Sequence, residues 1–137
     1  MATYDWGLDR TFKAAIDLSA SQYSFVIAGS IAGECTLATT TGGSVIGVLQ
    51  NKPRATEGAT VRVLGFSKVR AQSSAGASPL TWGGFVKAGS DGCAWGCGVQ
   101  ATAASTFSAG ISYDAYATST GCVMAEIFVQ PHSVRSY

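Results

Sequence analysis

The sequence predicts an all-β chain, a small single-domain β-barrel or β-sandwich-like fold with an extended N-terminal arm. Seventeen glycines cut the 137 residues into short segments. The segments between them are rich in Val, Ile and Phe, and helix formers seldom follow one another. The length suits one domain able to bury a core without disulfides.

Taken in order, residues 1–12 read as the arm, with Tyr4, Trp6 and Phe12 as its large side chains; a strand folded onto the core is the competing reading. Lys13–Tyr23, "KAAIDLSASQY", is the one helical candidate. It is short, and Asp17 and Ser19 fit a turn as well as a cap, so a single helical turn is expected. The clearest strands are Ser21–Ile27, Ser44–Gln50, Thr60–Ala71, Gly84–Ala88 and Cys122–Gln130. Between them lie the turn signals "TTTGGS", "NKPRATEGA", "SSAGASP", "GSDGC" and "TSTG".

Strand alternation makes the stretch from Thr60 informative. Val61, Val63, Gly65, Ser67, Val69 and Ala71 share one face, all small or β-branched, as a tight interior requires. The other face carries Arg62, Leu64, Phe66, Lys68 and Arg70. Two large apolar groups framed by three cations fit a second buried layer, a bulge at Gly65 that flips the phase, or a contact surface with charged edges. The last strand is also apolar on both faces, with Val123, Ala125, Ile127 and Val129 on one side and Met124, Glu126 and Phe128 on the other. Pro131, which lacks an N–H, is expected to end it. "IGVLQNKPRATEGATVRVLG" and "AGISYDAYATSTGCVMAEIFVQP" form a weak internal echo, which two related hairpins or similar turn chemistry would each explain.

Charged residues make up 12% of the chain, about half the share in an ordinary soluble domain, against 47% apolar residues. Such a chain leaves little surface for water, which suggests a subunit partly covered by neighbours. The net charge of +1 argues against a protein built to hold polyanions. No apolar run approaches a membrane span, and the opening "MATYDWGLDRTFK" carries no secretion signal. Cys35, Cys93, Cys97 and Cys122 are expected as reduced core thiols, although "CAWGC" has a loosely zinc-compatible spacing.

No catalytic constellation is legible. The eight acids are scattered beside turns, and His132 is the only histidine. No catalytic, cofactor-binding or metal residues are therefore predicted, and no cofactor. Two binding alternatives stay open. Lys52, Arg54, Arg62, Lys68 and Arg70 with Phe66 imitate a basic stacking face for single-stranded nucleic acid. Trp6, Trp82 and Trp95, each near glycine, imitate stacking platforms of a carbohydrate-binding β-module.

"IGVLQNKPRATEGATVRVLGFSKVRA" resembles the central signature of the tailed-phage capsid decoration proteins, also called cement or head-stabilising proteins. In that family "GVLQNKP" leads through a glycine–glutamate loop into a strand ending "G-S-K-V". Asp9–Val26, Gly83–Ala94 and Ala109–Pro131 resemble further family segments in the same order. Cys93, Cys97, Cys122 and the tyrosine-rich "SYDAY" depart from the family pattern, and Val99–Phe107 is short.

The resemblance implies one decoration domain over residues 1–137, acting as a homotrimer on the outside of the capsid. Its partners would be the major capsid protein and itself, with no direct nucleic acid and no membrane. It would be made and assembled in the bacterial host cytoplasm. The interface set expected from strand alternation and anchor residue types is Tyr4, Trp6, Phe12, Arg62, Leu64, Phe66, Lys68 and Arg70.

Overall fold

A computed structural model describes residues 6–72, 79–97, 106–115 and 122–134. Among the described residues there is no helix; nine strands form. They are β1 (Gly7–Ala14), β2 (Phe25–Ala28), β3 (Glu34–Leu37), β4 (Gly47–Leu49), β5 (Gly58–Gln72), β6 (Phe85–Ala88), β7 (Ala94–Gly96), β8 (Thr106–Ser112) and β9 (Cys122–Val134). The all-β class is as predicted.

The architecture is more than one barrel. The strands join in the order β1-β3-β2-β4-β5-β7-β6-β8-β9, and added pairings of β1 with β5 and β5 with β9 close the sheet on itself twice. One circuit holds β1 to β5, the other β5 to β9. Their topologies coincide: in each, the first strand runs parallel to the third. All other pairs are antiparallel. Strand β5 serves as the last strand of the first circuit and the first strand of the second. Its length allows this: 15 residues extend about 50 Å, far more than one small ring can use.

This repeat has a trace in the sequence that the glycine-led echo caught only in part. Phe25–Ser30 and Phe85–Ser90 share F-V-x-A-G-S and occupy equivalent strands, β2 and β6. The two echoed segments hold the equivalent hairpins β4–β5 and β8–β9.

Apolar residues on both faces of a strand find their cause here. In β2, Val26 belongs to a smaller core with Ala14, Leu18, Cys35, Leu49, Ala59 and Val61. Its neighbour Phe25 points the other way, into a larger core with Val69, Val86, Ile127 and Val129. Leu49 and Val48 of β4 divide in the same manner. The core of the second circuit thus buries part of the outer side of the first.

Three local expectations are corrected. No helical turn forms over Lys13–Tyr23; Lys13 and Ala14 end β1, and the Asp17 carboxylate accepts the Ser19 N–H at 2.9 Å, a turn. Hydrogen bonding from the Ser19 side chain first and its N–H second, with Arg54 nearby, holds the Asp17 carboxyl below its ordinary range. Pro131 does not end the last strand, which runs on to Val134. Ser108 pairs with His132 but Gly110 with Val129, so two residues of β9, Gln130 and Pro131, face one of β8. A bulge is where a strand tolerates proline. Gly65 does not flip the phase of β5: Ala59 and Val61 before it and Val69 and Ala71 after it are all buried.

Gly65 instead lets β5 change partners. It faces Gly7 of β1 on one side and Val129 of β9 on the other, with φ +111°. A Cβ there would lie 2.4 Å from the Trp6 carbonyl oxygen and 2.5 Å from Gly7 Cα. Gly33 also has positive φ, +87°, but with open space around it. We expect Gly33→Ala to cost about 1 kcal/mol from backbone preference alone. Gly65→Ala should cost about 3 kcal/mol, since backbone must also move. Urea denaturation of the two variants checks the difference.

Candidate interaction surface

The crossing at Gly7 and Gly65 is held by Arg62. Its side chain lies where a Cβ on Gly7 would be, 2.4 Å from Arg62 Cδ. Nε donates to Asp9 Oδ1 at 2.6 Å and Nη2 to Asp9 Oδ2 at 3.1 Å, a bidentate pair between β5 and β1. Nη1 reaches past the bend to the Phe66 carbonyl at 2.7 Å. Arg62 is only 7% exposed. It therefore lies beneath the surface it was expected to edge, as a structural clasp.

Above that clasp the outward face of the sheet is apolar. Phe66, Phe128, Ile111 and Phe85 are successive cross-strand partners on β5, β9, β8 and β6. Leu8 and Leu64 pair alongside. The Phe66 N–H donates to the Trp6 carbonyl at 3.0 Å, which fixes the chain entering β1. The Trp6 ring then stacks on Phe128 at 6.5 Å between centroids. Phe66 meets Phe128 and Tyr113 edge-on at 5.1 and 5.2 Å, and Tyr113 meets Trp82 at 5.7 Å. Five rings form one unbroken ribbon.

Much of this apolar face is open to solvent: Trp82 is 71% exposed, Trp6 60%, Leu8 55%, Phe85 46% and Tyr113 38%. Single exposed apolar side chains are ordinary, whereas a continuous patch of large ones marks an interaction surface. Beyond it, Lys68 faces Glu126 across β5 and β9, and Arg70 faces Met124.

The residues expected from sequence fall in different places. Trp6, Leu64 and Phe66 belong to the patch, and Lys68 stands exposed at its edge. Phe12 packs against the smaller core. Arg70 donates to the Ala20 carbonyl at 3.1 Å, away from the ribbon. Tyr4 lies outside the described residues, as does the rest of the arm before Trp6; from Gly7 the arm is strand β1, the reading that had stayed open beside it. Sequence reading missed Leu8, Phe85, Ile111, Tyr113 and Phe128 as one surface. Phe128 had been placed on the face of its strand opposite Val123, Ala125, Ile127 and Val129, but only the pairing of β9 between β5 and β8 joins it to the others.

Reactive groups are not prominent. Burial pushes the Cys35 and Cys97 thiols up, with Lys87 pulling Cys97 partly back. A raised thiol is a poor nucleophile at neutral pH. Among the described residues no three His, Cys, Asp or Glu side chains converge as metal ligands. The His132 side chain lies outside what the structure describes.

No protein-family model matches the chain, and no curated protein matches it. Its fold is similar to a solved one. The crystal structure of the head fiber gp8.5 N base in bacteriophage phi29 aligns with TM-score 0.59 and 13% identity, over 91% of this chain and 95% of that one. At so low an identity the likeness to the head fiber base is one of fold, and it extends over nearly all of both chains.

Stability should separate clasp from patch. Trp82→Ala is expected to change stability by less than about 0.5 kcal/mol. Phe66→Ala, which loses two edge-on ring contacts, should cost about 2 kcal/mol. Asp9→Ala should cost about 2 kcal/mol, because Arg62 stays buried while the partly exposed acid is lost. Thermal and urea unfolding of the three variants read this directly.

Proposed function

We propose that this protein is a structural protein of a tailed-phage virion. It binds the outer surface of the capsid and cements neighbouring major capsid proteins, stabilising the mature head. The observation that carries the reading is the exposed aromatic ribbon from Trp6 to Trp82. Its composition, aromatic at the centre and charged at the edge, is that of a protein–protein contact. Two further observations support it: the likeness in fold to a phage head fiber base, and the resemblance of "GVLQNKPRATEGATVRVLGFSKV" to decoration proteins.

The partners in this reading are the major capsid protein and two further copies of this chain. A homotrimer that touches several shell subunits needs only modest affinity at each, because binding the first raises the effective concentration for the rest. The protein is no enzyme and has no cofactor in this role. A carbohydrate-binding module is the second reading, favoured by Trp82 standing 71% exposed and edge-on to Tyr113.

Co-sedimentation with expanded, DNA-free shells tests the proposal. The wild-type protein should pellet with shells and elute as an oligomer. Trp82→Asp combined with Phe85→Asp should lower retention at least about tenfold without unfolding the chain. A strict monomer that never pellets with shells overturns the reading, and saturable binding to an immobilised glycan array would replace it with the second.

A further inference from the structure

The same outward face that bears the ribbon continues into a concave site of about 400 Å³. It is lined by the β1–β2 loop, by Lys52 after β4, by Arg70 of β5 and by Val123 and Met124 of β9. Among the described residues its lining holds two cations and no carboxylate. Ser19 and Gln22 add polar groups, while Val123 and Met124 form an apolar wall. Lys52 makes no hydrogen bond or ion pair among the described residues.

The site is preformed. Arg70 is fixed by its bond to the Ala20 carbonyl. The Tyr23 N–H donates to the Leu49 carbonyl, and the Tyr23 carbonyl accepts the Arg70 N–H, both at 2.8 Å. Held from both sides, Tyr23 adopts φ 64°, a left-handed conformation unusual for a bulky residue. Such a loop loses little freedom when a ligand enters.

We infer that this pocket receives an acidic side chain of the protein segment that covers the aromatic ribbon. The partner's identity as a protein rests on the function proposed above; the carboxylate follows from the pocket. A polyanion is a poor match, because a nucleic-acid groove needs a run of cations and the chain's net charge is only +1. The geometry sets a spacing as well. Phe66 and Arg70 share one face of β5, four residues apart, or about 13 Å. The partner therefore presents an aromatic anchor and a carboxylate about 13 Å apart, as residues i and i+4 of an extended segment do.

Two peptides test this with the full chain: acetyl-Trp-Ser-Thr-Ser-Glu-amide and its counterpart ending in Gln. Amide chemical-shift titration should show the Glu peptide perturbing residues 19–23, 52 and 70. It should bind about tenfold more tightly than the Gln peptide, the worth of one charge-assisted contact. Lys52→Gln, an exposed loop substitution that the fold tolerates, should abolish that difference, and added salt should shrink it. Equal binding of the two peptides overturns the inference. So does an oligothymidylate or inorganic phosphate that perturbs the same residues more tightly than the Glu peptide. Shell binding without peptide discrimination removes the pocket alone; peptide discrimination without shell binding removes the capsid role and leaves the pocket.

Discussion

The fold depends on one crossing, where Gly7 of β1 passes Gly65 of β5 so closely that Gly65 has no room for a side chain, while the space beside Gly7 is taken by the Arg62 side chain. On one side of that point β5 belongs to the first closed circuit, and on the other to the second. The close approach leaves no room for side chains to stabilise it from above, so Arg62 does so from within. Its fork binds Asp9 on one strand and the Phe66 carbonyl beyond the bend. A buried guanidinium is costly to desolvate unless its donors are met. Here at least three of them are, and the clasp ties β1 to β5 on both sides of Gly65.

The surface follows from that crossing. Because Trp6 hydrogen-bonds across the bend to Phe66, its ring is delivered onto Phe128, and the aromatic ribbon begins there. The register of β5, β9, β8 and β6 then lays Phe66, Phe128, Ile111 and Phe85 in a row. Pairing of β1 with β5 and of β5 with β9 closes the sheet on itself twice, and the row of rings is a continuous apolar area on its outer side. Low surface charge, a puzzle in the bare sequence, is what a protein with one large contact face would carry.

The two circuits also explain how a chain this size holds two small cores instead of one. Each ring alone encloses few side chains, and Phe25 and Val48 show how the gap between the rings is filled from the outside of the first. Burial of that shared layer couples the halves, so that neither is expected to stand without the other.

The sequence by itself determined the class of structure and much of its local order. Glycine-punctuated β-branched segments could become only strands, and the alternation along Thr60–Ala71 told which residues face inward, because side chains on a strand have a fixed period of two. It also placed Phe66 and Leu64 together on the opposite face, without deciding whether that face is buried or a contact surface. It did not tell that Arg62 on the same face is buried, since nothing local announces Asp9, 53 residues away. Nor did it assign Trp6, Tyr113, Trp82 and Phe85 to one surface. Those residues come from three separate segments, and only long-range strand pairing brings them together. Strand length and phase are written in neighbouring residues, whereas register between distant strands is decided by how two cores close around one bent strand.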